Sequence, residues 1–287
     1  NPPMYRSMLY VPATNERFVA KAKERGADAI ILDLEDSIPV AEKPNARAAL
    51  ATAALACRGT GSDVLVRVNR PIRWCIPDVE AAVATGVDAI LLPKAESAEH
   101  VRLIAEAIES AEAEFKPANM VKLLLIIEDP AAVMDARAII SAHPRVVAAM
   151  AGGEDLATAL EAEPIAETLH LPKQLVHMAA KATGRFSLGL FGTVADYSDK
   201  DGIRSLIAEA RRHGFDGASC IHPSVVPLLN EGFSPSDEEI TQARRVVKAL
   251  EDAESQGLGA VSLDGRMIDK PVADRAKLLL ARAGRGV

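Results

Sequence analysis

Short runs of apolar residues alternate along the chain with longer segments of helical pattern, and most of the runs end near a charged residue. The clearest runs are Val121–Ile127 and Val146–Ala151, which are apolar at almost every position and therefore predict strands buried on both faces. Six further runs predict strands at Met8–Pro12, Ala29–Leu34, Val64–Val68, Ala89–Leu92, Phe186–Leu190 and Ala218–Ile221. Eight strands alternating with helices predict an α/β protein with a (β/α)8 (TIM) barrel.

A repeated Gly-x-Asp sequence supports this count. Gly26, Gly86 and Gly214 each end a predicted helix, and each is followed by an aspartate and an apolar run. Glycine supplies the left-handed conformation that ends many helices, and the repeats are spaced by about two and four βα units of ~30 residues. Thr14 is the predicted cap of the first helix, and Pro77–Thr85 is the predicted helix after the third strand.

The barrel is predicted to occupy residues 1–235, and residues 236–287 are predicted to form a C-terminal extension. Within the extension, Glu239–Ser255 and Pro271–Ala283 have helical patterns, and Gly257–Asp269 is rich in turn residues and predicts a hairpin or loop. The segment is too short for an independent domain, so we expect it to act as a lid or a subunit contact.

The acids at the ends of the two clearest strands suggest the chemistry. Glu128 follows Val121–Ile127, and Asp155 closes the Gly-Gly-Glu-Asp sequence after Val146–Ala151. Adjacent strands lie ~4.8 Å apart, so both carboxylates could reach one hard cation. Mg²⁺ suits such a site, because it takes one or two carboxylates and fills its other positions with water and substrate oxygens, including those of a 2-keto acid. The alternative is that both acids are ordinary residues near helix N-termini, where a carboxylate interacts favourably with the helix dipole.

Arg67, at the end of the third predicted strand, could hold a substrate carboxylate with its planar guanidinium group. Alternatively, it is a barrel-interior residue paired with Glu35 or Asp36. The cluster of Asp33, Glu35 and Asp36 could in turn polarise water at the metal or orient Arg67, and Asp36 could equally cap the next helix.

Composition and charge exclude several other classes. A net charge of −7 without a run of Lys or Arg argues against nucleic-acid binding, although Arg6, Lys43 and Arg47 could contact phosphates. Three cysteines without a C-x-x-C pair indicate neither a disulfide framework nor a zinc site. No apolar run of 18 residues predicts a membrane span, and no secretory signal pattern is recognised, so we expect a cytoplasmic protein with no membrane partner.

Nine short stretches, in order along nearly the whole chain, resemble the citrate lyase β-subunit-like proteins of the HpcH/HpaI aldolase superfamily. They are Arg6–Pro12, Asp33–Ile38, Val66–Asn69, Leu92–Lys94, Ile126–Glu128, Gly152–Leu156, Ile221–Pro223, Phe233–Pro235 and Asp264–Asp269. The resemblance implies a (β/α)8 barrel that assembles into homotrimers or hexamers. It also implies cleavage or formation of C–C bonds in 3-hydroxyacyl thioesters such as malyl-CoA, citramalyl-CoA or citryl-carrier protein.

The resemblance assigns roles by position. It implies that Glu128 and Asp155 are magnesium ligands, that Arg67 holds the substrate carboxylate, and that Glu35 and Asp36 lie near the water molecules of the metal. Asp269 matches a C-terminal acid that reaches a neighbouring subunit's site as acid or base. Two positions depart from the pattern, with Ala13 where glycine is common and Asp129 where serine or threonine is usual. The extra acid, Asp129, could strengthen metal binding or alter the substrate pocket.

The expected function is therefore that of a Mg²⁺-dependent carbon–carbon lyase. It would cleave a 3-hydroxyacyl thioester, carried by CoA or an acyl-carrier protein, to a 2-keto acid and an acyl thioester. One alternative is an aldolase acting on free 2-keto acids, and another is a carrier-dependent subunit of a citrate lyase complex.

Overall fold

Eight parallel strands form the central sheet of the structure, which is a computed structural model that describes residues 5–59, 61–194 and 196–285. The strands are β1 (Ser7–Pro12), β2 (Ala29–Asp33), β3 (Asp63–Arg67), β4 (Ala89–Leu92), β5 (Lys122–Ile127), β6 (Val146–Ala151), β7 (Phe186–Leu188) and β8 (Ala218–Cys220). Neighbours in the chain are neighbours in the sheet, and β8 pairs with β1. This is the order of a (β/α)8 barrel, so the predicted fold is confirmed.

The barrel is nearly closed between β7 and β8. Both strands have only three residues, and one parallel bridge, Leu188 to Gly217, joins them. Two backbone hydrogen bonds flank this bridge, from Gly189 N to Gly217 O at 2.8 Å and from Asp216 N to Ser187 O at 2.8 Å. A side chain at position 217 would place its Cβ 1.8 Å from the carbonyl oxygen of Tyr5, so glycine is required for this close approach.

Helices follow the strands, and two helices lie between β5 and β6 and two between β6 and β7. They are α1 (Glu16–Ala22), α2 (Lys43–Cys57), α3 (Ile72–Ala84), α4 (Ala98–Phe115), α5 (Pro130–Met134), α6 (Ala136–Ile140), α7 (Glu154–Ala159), α8 (Ala166–Ala182), α9 (Lys200–Arg212) and α10 (Val226–Gly232). No helix among the described residues is both long and apolar enough to cross a membrane.

Two local predictions were wrong. The helix predicted from Pro77 begins at Ile72, and Pro77 lies inside it. A proline removes one backbone donor, and the helix compensates by burying one face, which includes Val79, Ala82 and Val83. The first helix is capped by Asn15 rather than Thr14, because the Asn15 side chain accepts a hydrogen bond from Phe18 N at 3.0 Å.

The aspartates of the Gly-x-Asp repeat join the amino ends of neighbouring strands. Asp28 accepts a hydrogen bond from Arg6 N, just before β1, and Asp88 accepts one from Val64 N in β3, each at 2.8 Å. Asp216 accepts one from Ser187 N in β7 at 2.9 Å. Each aspartate thus satisfies a backbone donor at the amino end of a neighbouring strand, and this end of the barrel is fixed by paired groups.

Alternate residues of each strand point into the barrel, and they form an apolar interior that includes Ile31, Leu65, Ile126 and Met150. Two residues further along the chain stand Asp33 and Arg67, the last residues of β2 and β3, and Glu128 and Gly152, which directly follow β5 and β6. The period of two therefore directs these positions inward, immediately above the apolar core. The polar site lies where the core ends, at the carboxyl ends of the strands.

The packing of the chain divides it into two compact units, with the boundary between Asn230 and Glu231. The second unit contains α11 (Asp237–Ser255), the antiparallel hairpin of β9 (Val261–Leu263) and β10 (Arg266–Ile268), and α12 (Lys270–Arg285). Its own small apolar cluster includes Val246, Leu250 and Ile268. The proposed role of this segment as a lid or subunit contact stays a prediction.

Candidate active site

Arg67 and Asp33 form the best-defined ion pair of the site. The two residues lie directly opposite each other in the register of β2 and β3. The guanidinium Nε lies 2.8 Å from Asp33 Oδ1, and Nη2 lies 2.9 Å from Oδ2. The partner of Arg67 is therefore chiefly Asp33, rather than Glu35 or Asp36. The ring of Tyr10 stacks on the guanidinium with its centroid 4.4 Å away, so the arginine is fixed on two sides.

The protonation of Asp33 agrees with this geometry. Burial alone would raise the pKa of Asp33. The hydrogen bonds and charge of Arg67, together with the hydrogen bond from Ser37, outweigh burial and lower the pKa. The carboxylate also accepts a hydrogen bond from Glu35 N at 3.0 Å. Asp33 therefore stays ionised and positions both Arg67 and the loop that follows β2.

One edge of the guanidinium remains available for a ligand. Arg67 Nη1 lies 3.6 Å from Glu35 Oε1 and 3.7 Å from Asp36 Oδ2, which is too far for good hydrogen bonds. The pair with Asp33 uses Nε and Nη2, so Nη1 and the outer proton of Nη2 form a second donor edge. A carboxylate of a ligand fits this edge.

Glu35 is the more buried of the two acids beside Arg67. The residue is 8% exposed, and burial raises its pKa to about 7, with Arg67 opposing the shift and Asp36 reinforcing it. A carboxyl group that titrates near neutral pH can both accept and return a proton. Asp36 is largely exposed, with 64% of its side chain accessible.

Glu128 lies across the end of β6, in a space that only glycine leaves open. A Cβ at position 152 would lie 2.6 Å from Glu128 Cγ and 2.8 Å from Oε1. Glu128 Oε2 accepts a hydrogen bond from Lys94 N at 2.7 Å. Burial raises the pKa of Glu128 to about 7; the Lys94 amide and ammonium groups lower it, and Asp155 raises it further.

Asp155 stands in the first turn of α7, four residues after the end of β6. Its side chain is 47% exposed, and Oδ2 lies 3.5 Å from Lys94 Nζ. Asp155 and Glu128 line the same cavity of about 400 Å³, together with Tyr10, Arg67 and Lys173. The two predicted metal ligands and the predicted carboxylate clamp therefore share one cavity.

The donor set fits magnesium. Two carboxylates border open space, and Gly152 provides the cradle in which the Glu128 carboxyl group lies. Mg²⁺ is usually held by one or two carboxylates with water and substrate oxygens in its other positions. The described residues contain no group of three or more His, Cys, Asp or Glu side chains arranged around a metal position.

Arg6 lies away from this cavity, and its predicted role in binding substrate stays a prediction. It immediately precedes β1, at the amino end of the barrel, whereas the cavity lies at the carboxyl ends. Its Nε and Nη2 form hydrogen bonds of 2.8 Å with the two carboxylate oxygens of Asp28. The apolar interior of the barrel separates the two ends, and Arg6 is paired with Asp28 at the amino end.

Lys43 was also predicted to bind substrate, and this stays a prediction; in the structure its ammonium group is buried and forms internal hydrogen bonds. Nζ donates to Asn69 Oδ1 at 2.6 Å and to the backbone oxygen of Glu35 at 2.9 Å. Lys43 therefore supports the loop that carries Glu35. Arg47, considered above for phosphate binding, instead pairs with the buried Asp78 at 2.7 Å.

Two further acids act as helix caps in the structure. Asp129 accepts a hydrogen bond from Ala132 N at 3.0 Å and caps the start of α5; its effect on metal binding stays a prediction. Asp269 belongs to the second compact unit, where its side chain accepts a hydrogen bond from Val272 N at 3.3 Å. Its predicted role as an acid or base stays a prediction.

The sequence analysis assigned no role to Lys94, although it contacts three acids of the site. Its amide donates to Glu128, and its Nζ lies 3.6 Å from Glu35 Oε2 and 3.5 Å from Asp155 Oδ2. Two signals were available, namely the position of Lys94 just after β4 and its place in the Leu-Pro-Lys stretch of the resemblance. The sequence does not reveal its left-handed backbone conformation (φ 50°), which brings the amide and the ammonium group to different acids.

A TIM barrel with an arginine and two carboxylates around one cavity at the carboxyl ends of its strands has the layout of an enzyme active site. Comparison with known proteins specifies the class. Residues 6–223 match the family HpcH/HpaI aldolase/citrate lyase, and the chain belongs to this family. It is therefore a carbon–carbon lyase of the aldolase type.

Individual relatives cover nearly the whole chain. The citrate lyase subunit beta of Haemophilus influenzae is 35% identical over 98% of this chain and 98% of its own. A (3S)-malyl-CoA thioesterase of Cereibacter sphaeroides is 35% identical over 97% of this chain and 94% of its own. Among solved structures, protein CitE of Mycobacterium tuberculosis in complex with magnesium, acetoacetate and coenzyme A is 31% identical, with a TM-score of 0.76 over 97% of each chain.

Proposed function

We propose that the protein is a Mg²⁺-dependent lyase that cleaves a 3-hydroxyacyl thioester of the malyl-CoA, citramalyl-CoA or citryl type. The observation that carries this proposal is that Arg67, Glu128 and Asp155 border one cavity. Magnesium, acetoacetate and coenzyme A in the M. tuberculosis CitE complex, and the malyl-CoA named for the C. sphaeroides relative, support the cation and the class of substrate.

Arg67 binds the carboxylate of the keto-acid half of the substrate through its second donor edge. Asp33 holds the guanidinium at 2.8–2.9 Å, so the donor edge is oriented before the substrate arrives. A preoriented bidentate contact loses little conformational entropy on binding.

Glu128 and Asp155 would hold Mg²⁺ at the carboxyl ends of β5 and β6. Bound there, the cation would supply Lewis-acid chemistry, withdrawing charge from the oxygen atoms of the keto-acid half. The cavity beside them is large enough for the small dicarboxylyl part of such a thioester.

Glu35 accepts the proton of the 3-hydroxyl group. As this proton leaves, the hydroxyl carbon becomes the carbonyl of a 2-keto acid, and the C2–C3 bond breaks. The electron pair of that bond remains on C2 as the enolate of the acyl thioester, and an acid then protonates C2. A pKa of about 7 suits Glu35 to proton exchange near neutral pH.

Asp269 is the proposed source of the final proton, delivered to the site of a neighbouring subunit in a homotrimer or hexamer. Mixing Arg67→Ala and Asp269→Asn chains tests this proposal, because each mixed assembly then contains some sites with both intact residues. We expect the separate variants to be nearly inactive and the mixture to recover part of the activity. No recovery in mixed assemblies of verified composition would reject the shared site.

A CoA thioester substrate also favours the cytoplasm as the location of the protein.

The proposed reaction can be tested by identifying products. Purified protein is incubated with malyl-CoA, citramalyl-CoA or citryl-CoA, with Mg²⁺ or with EDTA, and the products are separated. A lyase releases a keto acid and an acyl-CoA in equal amounts, and EDTA abolishes the release. The proposal fails if no thioester is cleaved between carbons, or if EDTA leaves the rate unchanged.

The same assay distinguishes the other candidate functions. Hydrolysis, the reaction named for the C. sphaeroides relatives, would release free CoA and a hydroxy acid. Release of keto acid from free hydroxy-keto acids would identify an aldolase that needs no thioester. Activity only with added carrier protein would identify a subunit like those named citrate lyase subunit beta.

A further inference from the structure

We propose that the Lys94 ammonium group is a built-in counter-cation of the acidic site and that Mg²⁺ displaces it when it binds. This inference rests on the proposed magnesium site. It assigns to Lys94 a positioning role, in which the residue keeps Glu35, Glu128 and Asp155 close together before the metal arrives and weakens metal binding by competing for them.

The first argument is the position of Lys94 among the acids. Its backbone amide lies 2.7 Å from Glu128 Oε2, and its ammonium nitrogen lies between Glu35 Oε2 at 3.6 Å and Asp155 Oδ2 at 3.5 Å. One residue therefore contacts both proposed ligands and the proposed base. Carboxylates held this close repel one another unless a cation lies among them.

The second argument is that the ammonium group is held loosely. Distances of 3.5–3.6 Å exceed those of good hydrogen bonds, and 41% of the Lys94 side chain is exposed. By contrast, Lys181 pairs with the nearly buried Asp216 at 2.7 Å. A loosely shared, half-exposed lysine on a flexible stem can be replaced by a divalent ion at small cost.

The third argument is that the backbone contact does not depend on the side chain. Lys94 has φ 50°, in the left-handed region that side chains rarely adopt, and this conformation directs its amide to Glu128. Any non-glycine residue keeps the same backbone restriction, so changing the tip of the side chain removes the charge while leaving the amide in place.

The test compares Mg²⁺ affinity of the wild type and Lys94→Met by isothermal titration calorimetry on the full-length protein. We expect Lys94→Met to bind Mg²⁺ about tenfold more tightly, since a positive charge about 4 Å from a ligand is removed. Lys94→Arg keeps the charge and should bind within about threefold of the wild type.

The matched control is Lys122→Met, which removes a lysine charge at the amino end of β5, the strand that carries Glu128 at its other end. We expect it to leave the Mg²⁺ affinity unchanged. Circular dichroism verifies folding of each variant. If Lys94→Met folds poorly, Lys94→Gln serves as the neutral variant.

Unchanged or weaker Mg²⁺ binding in the folded neutral variant would overturn the inference. Titration of Glu128→Gln separates this failure from that of the proposed function. If Glu128→Gln binds Mg²⁺ as tightly as the wild type, the metal site itself is misplaced. If Glu128→Gln loses binding but Lys94→Met leaves it unchanged, only the displacement of Lys94 is rejected.

Discussion

The two ends of the barrel carry similar charged residues, but they differ in how completely the charges are paired. At the amino end, Arg6 and Asp28 form a bidentate pair, and the aspartates of the repeat accept hydrogen bonds from backbone amides. At the carboxyl end, Glu35 and Glu128 are held with too little compensation, and burial raises the pKa of each to about 7. The amino end therefore stabilises the fold, while the carboxyl end holds buried carboxyl groups whose negative charge is unfavourable and can be relieved by a cation.

Two arginine–aspartate pairs make this comparison concrete. Arg6 uses its guanidinium on Asp28 where the strands begin, and Arg67 uses one edge on Asp33 where the strands end. Arg67 borders the cavity at the carboxyl ends of the strands, and the second edge of its guanidinium group lies 3.6–3.7 Å from Glu35 and Asp36, which is too far for good hydrogen bonds. Under the proposed function, the same kind of ion pair stabilises the fold at one end and positions a ligand-binding arginine at the other.

The largest expected effect follows from removing the carboxylate clamp. Arg67→Ala should lower kcat/KM on the cleaved thioester by about 10²-fold or more, because a charged bidentate contact contributes roughly 1.5–3 kcal/mol and Asp33 is left unpaired. Steady-state kinetics measure the loss, and a melting curve verifies that the variant is folded. Equal kcat/KM for the variant and the wild type would remove Arg67 from the site.

A smaller but sharper effect is expected from Gly152→Ala. The new Cβ would lie 2.6 Å from Glu128 Cγ, so the Glu128 side chain must move, and a displacement of about 1 Å at an active site can cost ~10²-fold in rate. Gly153→Ala is the matched control, since its Cβ would meet only Thr193 Cγ2 at 3.9 Å. We expect a reduction of 10- to 100-fold in kcat/KM for Gly152→Ala and little change for the control. Similar values for the two variants would contradict the claim that Gly152 leaves the space in which the Glu128 side chain lies.

The unfavourable charge should also appear in the pH dependence of stability. The pKa of Glu128 in the folded, metal-free protein is about 7, above its ordinary value of 4.5, so the folded state binds more protons than the unfolded state between these values. The free energy of unfolding contributed by Glu128 therefore falls as pH rises from 4.5 through 7, by at most about 3 kcal/mol.

Urea unfolding in EDTA at pH 5 and pH 8 measures this contribution as the difference between wild type and Glu128→Gln. The wild type should lose more stability than the variant over this interval, and Mg²⁺ should restore it at pH 8 because the cation favours the ionised carboxylate. Parallel changes in the two proteins would mean that Glu128 titrates normally.

The smallest effect is expected at the amino end. Arg6→Ala should lower the free energy of unfolding by about 1–2 kcal/mol, since both members of its pair are about one-fifth exposed and the interaction is partly screened. Its kcat/KM should match that of the wild type. A large loss of activity in the folded Arg6→Ala protein would contradict the claim that the amino end contributes to stability and not to activity.

Much of the barrel was predictable, because long apolar runs and glycine-terminated helices determine the order of strands. The ends of elements were less predictable, as in α3, where burial of one helix face outweighs the backbone bond that Pro77 removes. The extra acid Asp129 was ambiguous for the same reason, since an acid before proline suits both a ligand and a helix cap, and the structure uses it as a cap.

Within the site, the strand ends indicated Arg67, Glu128 and Asp155, but not the partners of these residues. Asp33 follows the same inward alternation as Ile31 and stands opposite Arg67 in the strand register. Glu35 has the same parity but lies beyond the end of β2, so the period of two alone does not distinguish the two acids, and the end of the strand does. The role of Lys94 depends on a backbone angle, and the separation of Arg6 from the site depends on which end of a strand it occupies. Neither the backbone angle of Lys94 nor the position of Arg6 can be predicted from charge and residue type alone.

The central claim is that Glu128 and Asp155 hold one divalent cation, and calorimetric titration with Mg²⁺ tests it most directly. Wild type, Glu128→Gln and Asp155→Asn would be titrated under the same conditions at pH 8, above the pKa of about 7 of Glu128. We predict one Mg²⁺ per wild-type chain and at least tenfold weaker binding in each variant. Binding of equal strength in all three proteins would contradict the account.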